Sequence, residues 1–181
     1  MGVLSWVESA GGPLIAMPRS VVQGWDGVRP SEDRLVEARF RWKSGGPATD
    51  YDRACDVEEY VGVIRVEDVD ALVLGEEPLP TAWIELPGRD GGVLVRWVFA
   101  EDNLRSEDLP GLDQLHWEPG VEWMVTSSPQ MLFDSATPGE LLERTNSVER
   151  NLRPGRYAVV MADFRPDPLT HMRLHRLTRI G

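Results

Sequence analysis

The chain has 181 residues, enough for one domain spanning 1–181 that buries roughly 70% of the surface its unfolded form exposes. A net charge of −11 and a pI near 4.7 exclude nucleic acid and an anionic membrane as expected partners, since both need a basic stripe, and they suit a basic protein through electrostatic steering. One cysteine, Cys55, rules out an internal disulfide; with no apolar run near the ~20 residues of a membrane span and no positive N-terminal region, the expected location is cytoplasmic.

Val3–Val7 and Leu14–Met17 are short apolar runs around Ser9-Ala10-Gly11-Gly12-Pro13, a turn signal, so they read as strand–turn–strand. Gly24, Gly27 and Pro30 mark a loop holding Trp25. Val36, Ala38, Phe40 and Trp42 alternate with charged residues up to Lys43, which predicts a strand closed by Gly45-Gly46-Pro47. Thr49-Asp50-Tyr51-Asp52 has the spacing of a capping box and predicts a helix from Asp50 to about Tyr60. That helix buries Tyr51, Ala54 and Cys55 and leaves Asp52, Asp56 and Glu59 at or near the surface. Val61–Val66 and Ala71–Leu74, joined by Glu67-Asp68, read as a hairpin.

Thr81–Leu86 and Val93–Phe99 flank Pro87-Gly88-Arg89-Asp90-Gly91-Gly92, and the Asp-Gly pair supplies the positive-φ positions of a hairpin turn. The second run is apolar on both faces with Arg96 as its one charge, the pattern of a strand inside a packed sheet. Asp102–Trp117 is polar and broken by Pro110-Gly111, a surface loop. Val121–Thr126 and Gln130–Phe133 read as strands. Thr137-Pro138-Gly139-Glu140 predicts a short second helix ending near Asn146. Arg156–Phe164 and Thr170–Leu177 are the last strands, joined through Pro166-Asp167-Pro168. The expected fold is mostly β (α+β), with about two short helices and an antiparallel sandwich or a strongly curved sheet. Trp6…Ser9…Pro13 with Leu14–Met17 echoes Trp123…Thr126…Pro129 with Met131–Phe133. Glu59-Tyr60 before Val61–Ile64 likewise echoes Arg156-Tyr157 before Ala158–Met161, a weak sign of internal duplication.

Little in the residues supports catalysis. No nucleophile elbow, phosphate loop or dinucleotide fingerprint is present. His171 and His175 lie four apart on an expected strand, about 13 Å, too far to share a metal. His116 reads as a surface residue and Cys55 as a small core residue. No metal or cofactor is called for. An enzyme would need His171 or His175 within reach of a carboxylate in a cleft, and a small-molecule- or peptide-binding β module would need an apolar pocket lined by tryptophan. Trp83, Trp97 and Trp123 are core candidates, whereas Trp25 and Trp117 are candidate exposed anchors. Asp50–Glu77 is strongly acidic. Its Asp52, Asp56, Glu58, Glu59, Glu67 and Asp68 form either a solvated face or a docking patch for a cationic partner.

Trp6-x-x-Ser9-x-Gly11-Gly12-Pro13-Leu14, Asp50-Tyr51-Asp52-Arg53-Ala54-Cys55, Leu72–Trp83 with its Gly75 and Pro78, and Arg96-Trp97-Val98 together resemble the immunity protein 21 family. Pro154-Gly155-Arg156-Tyr157 and Leu174-His175-Arg176-Leu177 extend the resemblance nearly end to end; Val28–Ala48 and Leu104–Gln114 depart from it. The resemblance implies a bacterial protein, made beside a toxin of a polymorphic toxin system, that protects its producer by binding that toxin. It carries over no catalytic residue. The motif positions (Trp6, Gly11, Gly12, Pro13, Asp50, Tyr51, Arg53, Gly75, Pro78, Trp83, Trp97, Gly155 and Tyr157) read as turns and core. The expectation is a rigid β scaffold that occludes a basic, nuclease-like toxin with Trp25, Asp52, Asp56, Glu58, Glu59, Glu67, Asp68 and Trp117.

Overall fold

Residues 4–28, 49–75, 78–86, 88–100, 111–142 and 146–181 are described by a computed structural model. Alternating side chains make the strands, and the strands make two antiparallel sheets. The first holds β1 (Trp6–Val7), β5 (Thr81–Ile84), β6 (Gly91–Ala100), β11 (Thr170–Arg179), β10 (Gly155–Asp167) and β7 (Glu118–Val125), in that order across the sheet. The second runs β3 (Gly62–Val66), β4 (Val69–Leu74), β2 (Leu14–Pro18), β8 (Gln130–Asp134) and β9 (Ser147–Arg150). A short α1 (Arg19–Val22) and α2 (Asp50–Cys55) complete a mostly-β fold.

Apolar side chains on alternate positions of these strands build three layers of core. Leu14, Ala16, Leu72, Leu74 and Leu132 meet Trp83, Leu94, Trp123, Tyr157, Val159 and Leu177 between the sheets. Ile15, Met17, Val73 and Phe133 point the other way, where Val22, Trp25, Tyr51 and Ala54 cover them. Val93, Val95, Phe164, Met172 and Leu174 face outward from the six-stranded sheet, under Leu112, Leu115 and Trp117. Both faces of β4 and β6 are therefore packed, which explains why each is apolar on both faces with a single charge, Asp70 or Arg96. The open sides of the sandwich are laced by side chain to backbone bonds: Trp123 Nε1 donates to Asp70 O (3.0 Å) and Arg150 Nη2 to Trp83 O (2.9 Å).

The suggested duplication has a topological counterpart. β1, β5 and β6 run from one edge to the middle of the first sheet, as β7, β10 and β11 do from the other edge. β2 with β4 matches β8 with β9 in the second sheet, and the halves meet in the antiparallel pairs β2–β8 and β6–β11. The echo of Trp6–Met17 in Trp123–Phe133 follows this symmetry. The echo of Glu59–Ile64 in Arg156–Met161 does not, because β3 corresponds to no strand of the second half while β10 corresponds to β5.

Four local expectations need correction. The helix at Asp50 ends at Cys55, because Val57 turns down to pack on Gly62. The helix expected from Thr137 is only a 3-10 turn, Gly139–Leu141, whose Gly139 N–H is bonded to Trp25 O (2.8 Å). α1 is absent from the reading since four residues give no period, and β9 since Ser147–Arg150 carries only Val148 as an apolar signal. The strand expected over Val36–Lys43 and the first part of the Asp102–Trp117 loop lie outside the described residues.

Candidate protein-docking surface

The acidic segment begins at α2. Thr49 Oγ1 accepts from Asp52 N (3.1 Å) while Asp52 Oδ2 accepts from Thr49 N (2.8 Å), so the predicted capping box is formed. This role withdraws Asp52, which is buried, from any docking patch. Arg53 pairs with Asp50 and also donates to Arg65 O (2.8 Å), which pins the helix to β3; Arg65 pairs with Asp70 (2.8 Å). Asp56, Glu58 and Glu59 are exposed on the way into β3, and Glu67 and Asp68 are exposed in the tight β3–β4 turn, where Glu67 takes a φ of 51°. Five carboxylates therefore flank an edge strand about 16 Å long. Gly75 allows the backbone that carries Glu58 and Glu59 to lie where it does. A Cβ there would stand 2.1 Å from Glu59 O and 2.9 Å from Val57 O, so only glycine lets residues 57–59 lie against the end of β4.

Of the expected aromatic anchors, Trp25 is buried at 2% exposure, its indole N–H donating to Ser135 O (2.8 Å) and its ring edge-on to Phe133. A Gly-rich loop looked exposed in sequence, but it folds into the core over the second sheet. Trp117 is half-buried: its N–H donates to Leu112 O (2.8 Å) and the Arg176 guanidinium lies 4.3 Å from its ring. Trp117 lies by the outer face of the six-stranded sheet and the acidic segment at the edge of the five-stranded one, so the structure does not gather all eight expected residues.

The residues that sequence reasoning missed form a ledge. β6, β10 and β11 outrun the shorter strands of the second sheet, and their inner face there is charged. Asp163 takes His171 Nε2 at 3.1 Å and Arg173 Nε at 3.2 Å, with Arg165 Nη2 at 3.6 Å. Tyr60, the residue after Glu59, lies over the Arg173 guanidinium at 3.6 Å. Phe99 stands edge-on to His171, ring centroids 5.6 Å apart, and is 47% exposed. A register shift between His171 and Met172 places Trp97 opposite Met172 on the outer face and Phe99 opposite His171 on the inner one. Strict alternation would have put the two aromatics on one face, so no sequence period reveals the ledge.

Asp163 on the ledge and the buried His175 show what this environment does to charge. Burial works to raise the Asp163 pKa, but the His171 hydrogen bond and the charges of Arg173 and His171 outweigh it and hold it below the usual carboxylate range. His175 is fully buried; burial, with Arg96 and Arg173 nearby, pushes it down to about 3, so it is neutral at pH 7. The contact that an enzyme reading requires, a histidine against a carboxylate, is thus present in His171–Asp163. A carboxylate shared by two guanidinium groups and an imidazole and held below its usual range is a poor general base. Among the described residues no group of three His, Cys, Asp or Glu is placed to hold a metal ion. An open groove of about 950 Å³ is lined by residues such as Glu85, Arg89, Asp90, Asn151 and Arg153 and by no tryptophan, unlike the pocket a small-molecule module would need. No helix among the described residues is long and apolar enough to cross a membrane.

Comparison with curated proteins and with solved structures gives no match. The family model for immunity protein 21 matches residues 5–170, nearly the whole chain. That span takes in the five-stranded sheet, the six-stranded sheet up to the start of β11, the acidic segment and the ledge apart from His171 and Arg173, and the chain belongs to the immunity protein 21 family.

Proposed function

We propose that this chain is the immunity partner of a toxin from a bacterial polymorphic toxin system. It binds that toxin one to one in the producer's cytoplasm and covers its active site or an adjacent exosite, with no bond made or broken. The family match over residues 5–170 carries the reading. The strip Asp56, Glu58, Glu59, Glu67 and Asp68 supports a basic toxin of the nuclease kind, because exposed carboxylates around a fixed edge strand raise the rate of encounter with a cationic surface.

The test is growth rescue. Cells that express the toxin encoded beside this gene survive when the chain is co-expressed, and the two proteins co-purify. Replacing Asp56, Glu58 and Glu59 together by Asn and Gln slows association about tenfold at low salt and flattens its salt dependence. Unchanged association kinetics would move the docking surface away from this strip; failure to rescue would remove the function itself.

A further inference from the structure

The ledge combines features that a solvated sheet end does not need. Its floor is locked: Tyr60, Arg173, Asp163, His171 and Phe99 touch in an unbroken series, with His171 5% exposed and the Arg173 side chain 12% exposed. On this fixed floor stand Phe99, 47% exposed, and Arg165, whose side chain is 62% exposed, lies 3.4 Å from His171 Nε2, and shares Asp163 with His171 and Arg173, which hold that carboxylate at shorter distances. Leu169, 54% exposed, lies in the turn just beyond. The opposite wall is Tyr60, directly preceded by the exposed Glu58 and Glu59.

We infer that the ledge is the specificity-determining part of the docking surface. It takes a partner segment that offers an apolar side chain to Phe99, an acidic side chain to Arg165 and a basic one to Glu58 and Glu59. This rests on the immunity reading above and deepens it. An exposed aromatic beside an arginine on a rigid base is the composition of an interface hot spot, since neither side chain loses much freedom on binding. Opposite charges on the two walls fix the register of the bound segment: a toxin with the pattern reversed meets like charge at both ends. The acidic strip alone attracts any cationic protein, whereas the ledge selects one.

Binding of the wild-type chain, Phe99→Ala, Arg165→Glu and, as a control, Leu141→Ala to the catalytically inactivated cognate toxin tests this by titration calorimetry. Leu141, 63% exposed, lies in the 3-10 turn beyond β8, away from the ledge. Both ledge residues are exposed enough for the variants to fold, and unchanged melting temperatures check it. Phe99→Ala and Arg165→Glu are expected to weaken binding at least about 30-fold, and Leu141→Ala less than about twofold. Wild-type binding that persists within about threefold in both ledge variants overturns the inference and leaves the immunity function standing. Equal loss in all three variants also overturns it, and absence of binding by the wild-type chain overturns both readings.

Discussion

His175 is a residue with no evident partner for what it is. It is fully buried, neither ring nitrogen has a hydrogen-bond partner among the described groups, and Arg96 and Arg173 oppose its protonation. Its folded pKa of about 3 lies below the unfolded value near 6.5. As pH falls through 6.5 the unfolded chain takes up a proton that the native chain refuses until near pH 3, so this group lowers stability progressively across that window. His175→Leu is expected to melt at least as high as wild type at pH 7.5 and to lose much less of that stability between pH 6.5 and 4, read from thermal melts across pH. The effect was not legible in sequence. His171 and His175 were placed correctly on a strand, but which face each would meet, and that Arg96 would stand beside His175, depends on the pairing of β6 with β11.

Among the elements, α2 shows how far local pattern reaches. The capping box at Thr49 to Asp52 was readable because its four residues act on one another. Its end was not, because Val57 leaves the helix for a contact with Gly62 in β3 and Gly75 just after β4, residues far along the chain from the capping box. Asp52→Ala removes an acceptor and exposes an orphan amide at the helix start; it is expected to cost about 1 kcal/mol in chemical denaturation and to leave toxin association unchanged at saturating stability. An association defect as large as that of the exposed Asp56, Glu58 and Glu59 would return Asp52 to the docking patch. The strands were the most legible elements, since period two is a two-residue rule. β9 escaped because one valine makes no period, and the ledge escaped because a single register shift reverses the face of Phe99.

At the scale of the molecule, the two halves do not form two units. Each contributes three strands to the six-stranded sheet, the first gives three and the second two to the five-stranded one, and the pairs β2–β8 and β6–β11 join them inside each sheet. Cutting the chain between β6 and β7 therefore leaves each fragment with two strands bared on one edge and only part of each wall of the core. A fragment ending at Ala100 and one starting at Gly111 are expected to show no cooperative melt separately and to regain one when co-expressed. A cooperative transition in either fragment alone would mean that the duplicated plan still folds as independent repeats. The mostly-β class could be read from the spacing of short strands, but the symmetric layout could not, since it lies in which strands become neighbours.

The lacing of the sandwich's open sides has a consequence for the cell. Under the proposed one-to-one binding, the chain must be stocked above the level of its target, and crowded β proteins join through strands laid bare. Here Trp123 ties the rim of one sheet to Asp70 of the other, and Arg150 does the same at Trp83. Such stitches keep the two walls from parting at the rim, so the inner strands of a stockpiled copy stay out of reach of its neighbours.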